Sequence, residues 1–341
     1  MICLSSHETS TMLKGLFLLD PQPYDWIYGA EVRQQIHELV DVYAPLQTRP
    51  TVAENPALLG EAEVILSGWG CPQFTEELLA FLPRLRAVFY GAGSIRGIVT
   101  EAFWARQIPI TTATVANGVP VSEFTIAHII LGLKRYWQHV QRFRETGEWW
   151  EHLPVAGVYG STVGLISLGT IGQMVAERLK SYEVNVIAYD PFVTQETAAA
   201  LGVRLCSLEQ VFRQADVVSL HTPWLPETEG LITGAHFAAM KEGATFINTA
   251  RGAVVREAEM IAVLQQRPDL YALLDVTYPE PPAADSPSMR LPNVTISPHI
   301  AGALQDECLR NGQSMVEELK RFLNGEPLRY AISRERAARM A

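Results

Sequence analysis

The sequence predicts an α/β protein built from two doubly wound domains, each with a parallel sheet. Three observations indicate this class: short apolar runs alternate with helical patterns, the alternation occurs in two successive series, and a glycine-rich turn opens the second series. At 341 residues, the chain is long enough for two domains of ordinary size, each with its own buried core.

The composition points to a small-molecule partner. Hydrophobic residues make up 48% of the chain, and the net charge of -10 repels phosphate backbones and anionic lipids. We therefore expect neither nucleic acid nor a membrane as a partner. The four cysteines stand far apart without a C-x-x-C pair, so we expect no metal site, no disulfide framework and a reducing, cytoplasmic location.

The first series follows a short polar stretch. Residues 1–11 lack a basic start followed by an apolar run, and we expect them to form a disordered tail. From Lys14 onward, strands are predicted at the apolar runs KGLFLLD, AEVILSG, LRAVFYG and IPITTA. Apolar residues recur with helical spacing between the first two runs, over residues 32–40. No part of the chain has the ~18 consecutive apolar residues of a membrane span.

The connecting segment VPVSEFTIAHIILGLKRYWQHVQRFRETGEWW predicts a long helix near residues 120–146. Pro120 suits the first turn of a helix, because its missing N–H would have no partner there. The helix is apolar on more than one face. Two interpretations therefore stay open: the helix is buried within one subunit, or it forms a contact between subunits.

The second series contains six apolar runs that are apolar almost throughout, as is typical of central strands. They read TVGLISLG, VNVIAYD, DVVSLHT, ATFINTA, YALLDVT and NVTISP. A further helix is predicted over residues 305–324, with Gly325 as its C-cap. Because the second sheet is complete before this helix, we expect the helix to return to the first domain. The predicted domains are therefore 12–115 with 303–341, and 116–302.

A phosphate-binding turn is predicted where the second series opens. The stretch GLISLGTIG places Gly164, Gly169 and Gly172 around a strand-to-helix turn, and Asp190 ends the next strand. Glycines let the backbone approach a pyrophosphate, the helix start supplies free N–H groups, and the acidic residue accepts ribose hydroxyls. This arrangement is typical of a Rossmann domain. Ser167 replaces the first glycine of the motif, which implies a conformational cost.

The identity of the dinucleotide follows from Asp190. Its carboxylate would repel the 2'-phosphate of NADP. The next residues, Pro191, Phe192 and Val193, provide no arginine that could neutralise such a phosphate. The sequence therefore predicts NAD(H) as the cofactor.

Chemically active side chains follow strands of the second series. Arg251 follows ATFINTA, Glu280 lies in LLDVTYPEPP, and His299 follows NVTISP. The carboxyl ends of parallel strands share one edge of a sheet, so we expect these residues to converge. Arginine can bind a carboxylate with two parallel hydrogen bonds, histidine can carry a proton, and a carboxylate can orient that histidine. Pro298 is expected to keep the backbone extended just before His299.

The glycine turn with Asp190, followed by LHTPWLPET, INTARGAVV, DVTYPEPP and SPHIAG, resembles the D-isomer-specific 2-hydroxyacid dehydrogenase family over most of residues 117–303. The resemblance implies a Rossmann NAD-binding domain and a discontinuous, flavodoxin-like substrate domain. It implies that Arg251 binds the substrate carboxylate and polarises its carbonyl, and that Glu280 orients His299, the catalytic acid or base. The family's dimers use the nucleotide domain and its long helix, which favours a subunit contact and a homodimer.

The resemblance and the strand-end positions together give the expected binding residues. The expected cofactor contacts are Gly169, Thr170, Ile171, Asp190, His221, Thr222, Pro223, Thr249, Ala250, Arg251, Asp275, His299 and Gly302. The expected substrate contacts are Trp69, Ala92, Gly93, Arg251 and His299. The expected activity is the NAD(H)-dependent interconversion of a D-2-hydroxy acid and its 2-oxo acid by hydride transfer.

Two other functions and the choice of substrate stay open. Some transcriptional corepressors resemble this family, bind NAD(H) and act mainly through protein partners, and methyltransferases that use S-adenosylmethionine also place an acidic residue after a glycine turn. The complete set of Arg251, Glu280 and His299 favours an enzyme over a corepressor, and a methyltransferase would leave this set without a role. The loop LSGWGCPQF has no cation, which favours an unphosphorylated substrate, although Arg96 stays open as a phosphate ligand.

Overall fold

The computed structural model describes residues 12–340, which divide into two compact units. The first unit ends at Asn117 and resumes with Leu304–Ala338, and the second covers Gly118–Ala303. Both divisions fall close to the boundaries predicted after 115 and after 302. The expectation of a disordered tail over residues 1–11 lies outside the described part of the chain.

The first unit contains a five-stranded parallel sheet. Its strands are β1 (Lys14–Leu18), β2 (Asp41–Val42), β3 (Val64–Ser67), β4 (Ala87–Tyr90) and β5 (Ile110–Thr112), in the order β2-β1-β3-β4-β5. Its first helices are α1 (Pro21–Ile27), α2 (Ala30–Leu39), α3 (Arg49–Glu54), α4 (Glu76–Ala80) and α5 (Glu101–Ala105), with a 3₁₀ turn at Pro56–Glu61. All four predicted runs form strands. Every residue of β3 and β4 is buried, as expected for central strands of a parallel sheet.

Two helices follow β5 where the sequence predicted one. Helix α6 (Thr114–Leu133) begins before Pro120, which lies inside it, and α7 (Tyr136–Thr146) ends at the predicted residue. The chain bends at Arg135, whose φ of 48° is left-handed. Its guanidinium donates to the carbonyl oxygen just before Gly243 (2.6 Å) and fills the space where a Cβ of Gly243 would stand. The prediction of a single helix opened by Pro120 was therefore wrong: α6 begins before Pro120, and the chain bends at Arg135 before α7.

Helix α6 is long and apolar enough, by length and composition alone, to cross a membrane. The window that meets this test is 50% buried inside the protein. Ile126, Ile129 and Leu133 pack into the second unit's core together with Val163 and Val217. Burial in a globular core explains the apolar composition, so the helix is weak evidence for a membrane span.

The second unit contains a seven-stranded parallel sheet. Its strands are β6 (Thr162–Ile166), β7 (Asn185–Tyr189), β8 (Val203–Leu205), β9 (Val217–Leu220), β10 (Thr245–Asn248), β11 (Tyr271–Leu274) and β12 (Val294–Ile296), in the order β12-β11-β10-β9-β6-β7-β8. Its helices are α8 (Thr170–Leu179), α9 (Gln195–Ala200), α10 (Leu208–Gln214), α11 (Gly234–Ala238) and α12 (Glu257–Gln266), with 3₁₀ turns at Gly252–Val254 and Pro287–Met289. The strand order reverses at β6, and doubly wound sheets bind ligands at this switch point.

Two apolar clusters form the core of the second unit. One surrounds the rings of Phe212, Phe237 and Phe246, and the other combines the central strands with α6. Neighbouring residues of one strand, such as Leu165 and Ile166, belong to different clusters. Successive side chains of a strand point to opposite faces, so this sheet is covered on both faces, as its apolar runs predicted.

The C-terminal helix belongs to the first unit. After a 3₁₀ turn (Gln305–Cys308), the chain forms α13 (Leu309–Leu323) and α14 (Arg334–Ala337). Gly325 follows α13 with a left-handed φ of 69°, as a C-cap requires. Arg339 groups with the second unit rather than with the predicted 303–341 segment, since its guanidinium lies 5.7 Å from the ring centroid of Phe192.

Candidate active site

The glycine turn joins β6 to α8. Ser167 has a φ of 75°, the left-handed conformation that glycine adopts more easily, so the expected conformational cost is present. A Cβ at Gly172 would stand 2.2 Å from the carbonyl oxygen of Ser167. At Gly169, just before α8, a Cβ would meet nothing within 4 Å among the described residues. The open space and the unpaired first N–H groups of α8 fit a pyrophosphate.

Asp190 ends β7 where a ribose-binding carboxylate was predicted. Its Oδ2 accepts a hydrogen bond from the N–H of Leu168 (2.8 Å). Its Oδ1 accepts from the N–H groups of Phe192 (2.8 Å) and Val193 (3.2 Å). Asp190 is thus attached to the glycine turn itself. Its two oxygens retain capacity for a ribose hydroxyl, because an ionised carboxylate offers about four lone-pair sites.

His221 and Thr222 follow β9 at the same edge of the sheet. Burial lowers the pKa of His221 to about 4, so the imidazole is neutral near pH 7. Its Nε2 lies 3.1 Å from Ser219 Oγ, whereas its buried Nδ1 has no partner within residues 12–340. The buried hydroxyl of Thr222 lies 2.9 Å from Ser167 Oγ. This contact links the end of β9 to the glycine turn.

Arg251 follows β10, and its Nη1 donates to the carbonyl oxygen of Ala250 (2.6 Å). Burial lowers the pKa of Arg251, while the negative charge of Glu280 acts in the opposite direction. A guanidinium remains protonated in such surroundings. A Cβ at Gly252 would stand 2.1 Å from the carbonyl carbon of Thr277. The lack of a side chain at Gly252 therefore lets the loop of Arg251 pack directly on the loop that leads to Glu280.

Glu280 and His299 form a direct pair. The carboxylate Oε1 of Glu280 lies 2.5 Å from Nδ1 of His299, and both side chains are partly exposed, at 40% and 48%. Because Nδ1 is engaged, Nε2 is the ring nitrogen that can exchange a proton with a ligand. The backbone of His299 itself is left-handed, with a φ of 54°.

Asp275 explains the conformation of His299. Its carboxylate accepts hydrogen bonds from the hydroxyl of Ser297 (2.5 Å) and from the N–H groups of Ile300 and Ala301 (both 2.9 Å). Its carbonyl oxygen accepts from the N–H of His299 (3.0 Å). Asp275 is 1% exposed, so a buried carboxylate holds the loop on both sides of His299. The cofactor contact of Asp275 stays a prediction.

The other predicted site residues lie in the loops that follow strands, or in the first turn of the next helix, within their own units. In the second unit these are Thr170, Ile171, Pro223, Thr249, Ala250 and Gly302, and in the first unit they are Trp69 after β3 and Ala92 and Gly93 after β4. The hydroxyl of Thr249 lies 3.2 Å from that of Thr125 on α6. The contacts of these residues with cofactor and substrate stay predictions.

Two polar residues near these loops escaped sequence reasoning. Ser297 supports Asp275, but a serine before a proline carries no signal of that partner. Arg49 donates through Nε to the carbonyl oxygen of Gly70 (3.1 Å) and through Nη2 to that of Cys71 (3.0 Å). A cation therefore lies beside the loop LSGWGCPQF, although the loop itself has none. Arg49 lies far from this loop along the chain, so no local sequence pattern indicated the contact.

Comparison with known families decides the assignment. A family model described as D-isomer specific 2-hydroxyacid dehydrogenase, NAD binding domain, matches residues 127–301, which is more than half of the chain. The chain belongs to this family. The predicted family, fold class and NAD(H) cofactor are thereby confirmed, and residues 127–301 are its NAD-binding domain. Membership argues against the methyltransferase alternative, and nothing in the comparisons supports a corepressor.

Individual relatives agree with this assignment. D-3-phosphoglycerate dehydrogenase of Archaeoglobus fulgidus is 33% identical over 259 residues, which are 75% of this chain and 49% of the relative. The 2-hydroxyacid dehydrogenase YoaD of Bacillus subtilis is 34% identical over 239 residues, 68% of each chain. The crystal structure of the TT0316 protein from Thermus thermophilus has a TM-score of 0.72 at 27% identity, covering 94% of this chain and 100% of that one. The chain spans about half the length of the phosphoglycerate dehydrogenases it matches.

Proposed function

We propose that this protein is an NAD(H)-dependent oxidoreductase that interconverts a D-2-hydroxy acid and its 2-oxo acid. The observation that carries the proposal is the pair of His299 and Glu280, with Arg251 on a loop packed against theirs. The pair supplies a proton at Nε2, and Arg251 supplies a planar cation for a carboxylate. Binding of NAD(H) alone does not require a proton donor paired with a carboxylate, so this set favours an enzyme over a protein that only binds the cofactor.

In the proposed reaction, the cofactor carries the hydride, and residues of the chain bind the substrate and transfer the proton. When bound, NADH supplies a hydride to C2 of the oxo acid. Nε2 of His299 gives its proton to the carbonyl oxygen, and the carboxylate of Glu280 stabilises the imidazolium before that transfer. Arg251 holds the substrate carboxylate and stabilises negative charge as it develops on the oxygen. In the oxidative direction, His299 accepts the hydroxyl proton.

The test uses a panel of 2-oxo acids of increasing side-chain size. Their reduction is monitored through the oxidation of NADH, and NADH binding is measured separately by fluorescence. We expect oxidation with at least one member of the panel. Tight NADH binding without NADH oxidation in the presence of any substrate would instead support the corepressor-like alternative.

We also expect NADH to be preferred over NADPH because of Asp190. A kcat/KM with NADPH equal to or above that with NADH would contradict this preference.

For the substrate, we propose an unphosphorylated 2-oxo acid, with Trp69 beside its side chain. The loop of Trp69 contains no cation, and two donor groups of the neighbouring Arg49 are already used by backbone carbonyls. The names of several relatives favour 3-phosphoglycerate instead. The panel therefore includes 3-phosphoglycerate in the oxidative direction. A specificity constant for it far above those for lactate and glycerate would overturn the proposal.

We also propose that the protein acts as a homodimer in the cytoplasm. The segment after α6 exposes large aromatic side chains, among them Phe143 (45%), Trp149 (67%), Trp150 (83%) and Tyr159 (82%). Large aromatic side chains that are this exposed favour a protein contact, and the rings of Phe143 and Trp149 already lie side by side, with centroids 5.5 Å apart. Sedimentation velocity should show a dimer for the natural protein and a monomer for Trp149→Ser/Trp150→Ser. A natural protein that sediments as a monomer would contradict the proposal.

A further inference from the structure

Ser167 occupies the position at which the dinucleotide fingerprint has its first glycine. Its left-handed φ of 75° is costly for a residue that carries a Cβ. Such a conformation persists only where the surrounding structure over-determines it. The contacts of Ser167 and its neighbour Leu168 identify what holds the turn.

Main-chain contacts attach the turn to β7 on one side of β6. The N–H of Ser167 donates to the carbonyl oxygen of Tyr189 (2.8 Å), and the N–H of Leu168 donates to Asp190 (2.8 Å). Gly172 closes the turn against the carbonyl oxygen of Ser167. These contacts involve only backbone atoms of the turn, so a glycine at position 167 would retain them.

The side chain of Ser167 adds an attachment to β9, on the other side of β6. Its Oγ lies 2.9 Å from the hydroxyl of Thr222, which is 3% exposed. The Thr222 hydroxyl can donate a hydrogen bond to the carbonyl oxygen of Ile166, 3.4 Å away, while it accepts one from the hydroxyl of Ser167. The N–H of His221 donates to the same carbonyl oxygen (2.9 Å). The partner of Ser167 is therefore itself fixed.

We propose that Ser167 is a positioning residue of the cofactor turn, whose hydroxyl bond to Thr222 holds the left-handed turn in its binding conformation before NAD(H) arrives. The inference rests on the proposed function only in taking NAD(H) as the ligand. A binding loop that is ordered in advance loses less freedom on binding, so it binds more tightly. The serine adds a side-chain anchor that glycine cannot offer, and the space at Gly169 stays open for the pyrophosphate.

The test combines two measurements on the full chain: the Kd for NADH from fluorescence titration, and deuterium exchange of residues 167–173 without cofactor. Ser167→Ala keeps the Cβ but removes the bond, and Thr222→Val removes its partner. We expect each to weaken NADH binding about tenfold and to speed exchange in the turn. The double variant should be no weaker than the weaker single variant, because both changes remove the same bond. Ser181→Ala changes an exposed serine just after α8 and should match the natural protein.

Ser167→Gly separates the contribution of the hydroxyl bond to Thr222 from the conformational cost of the left-handed backbone. It also provides the test if Ser167→Ala folds poorly. It removes the bond together with the strain, so we expect faster exchange and a smaller loss of affinity, about threefold. Tighter NADH binding by Ser167→Gly would overturn the inference, because the serine would then contribute only backbone strain and no useful hydrogen bond. Multiplying effects in the double variant would overturn it as well. If the natural protein does not bind NADH, the proposed function fails; if it binds NADH equally well without the anchor, only this inference fails.

Discussion

The two sheets follow the same plan, yet the residues after their strands differ in chemistry. In the first unit, β3 is followed by Gly68 and Trp69, and β4 by a stretch of Gly and Ala that includes Ala92. In the second unit, strands β10 and β12 lead to Arg251 and His299. A parallel sheet therefore supplies the frame, and the few residues beyond each strand decide whether that frame performs chemistry.

The largest effect that this comparison predicts is at His299. His299→Ala should lower kcat by about 10²- to 10⁴-fold, because no other group replaces the proton at Nε2. NADH binding should change little, which a fluorescence titration can measure. His37→Ala, an exposed histidine on α2 of the first unit, is the matched control and should leave kcat unchanged. Near-normal turnover by His299→Ala would remove the histidine from the mechanism and weaken the contrast between the sheets.

Two glycines of the cofactor turn should respond in different ways. A Cβ at Gly172 would meet a carbonyl oxygen at 2.2 Å, so Gly172→Ala should destabilise the fold by about 1–3 kcal/mol. A Cβ at Gly169 meets open space, so Gly169→Ala should keep its stability yet bind NADH at least about tenfold more weakly, because the methyl group takes ligand space. Thermal unfolding and NADH titration separate the two effects.

Gly97 offers the control in the first unit, since the described residues leave the same open space around it. Gly97→Ala should change neither stability nor NADH affinity. Normal NADH affinity in Gly169→Ala would mean that the pyrophosphate does not approach this turn. The proposed difference between the two sheets would then lack a dinucleotide site at this position.

Replacement of Glu280 by glutamine should lower kcat rather than abolish activity. The carboxylate lies 2.5 Å from Nδ1 of His299, and glutamine keeps a polar group of similar size but loses the charge-assisted hydrogen bond that orients the ring. We expect kcat to fall about tenfold while NADH affinity in a fluorescence titration stays unchanged. A deuterated NADH isotope effect shows whether hydride transfer limits the rate. Glu227→Gln, which changes an exposed carboxylate of the same unit, should leave kcat unchanged; an unchanged kcat for Glu280→Gln would exclude Glu280 as the partner that orients His299.

The last predicted effect concerns stability, and it appears only in acid. His221 has an ordinary pKa of 6.5 that burial lowers to about 4, so the unfolded chain binds more protons between these values than the folded protein does. His221 therefore lowers the free energy of unfolding as the pH falls from 6.5 toward 4, by up to about 3 kcal/mol. His221→Gln should flatten this decline in urea unfolding at several pH values. His37→Gln should not, and an equal slope in all three proteins would contradict the burial of His221.

The sequence predicted the parts of this fold that depend on burial and missed those that depend on partners far along the chain. Ten strands follow from apolar runs, whereas β2 and β8 are edge strands of two and three residues, which are too short to form a recognisable apolar run. The bend at Arg135 depends on Gly243, and no local pattern indicates that contact. Pro120 suggested a helix start, but α6 tolerates it in its interior.

The same distinction applies to the candidate site. The sequence predicted that Arg251, Glu280 and His299 follow strands that end at one edge of a sheet, and these strands are neighbours in the structure, while the catalytic roles of the three residues stay predictions. The left-handed backbone of His299 could not, because it depends on the buried carboxylate of Asp275, which only the folded sheet brings beneath the loop. Residue types and strand order thus predict which groups meet, while their orientation requires the hydrogen bonds between loops.

The contact between Arg135 and Gly243 ties the direction of α7 to a residue more than 100 positions away. Any side chain at position 243 would displace the guanidinium, and the left-handed φ of 70° at Gly243 would strain the backbone of the new residue. The exposed aromatic side chains of Phe143 and Trp149 lie in the segment beyond that bend. If these side chains form the proposed homodimer contact, a genetic screen for faulty assembly should also recover changes at Gly243. Gly243 would then be classed with the interface residues, although the side chain that it contacts is that of Arg135 in the same subunit.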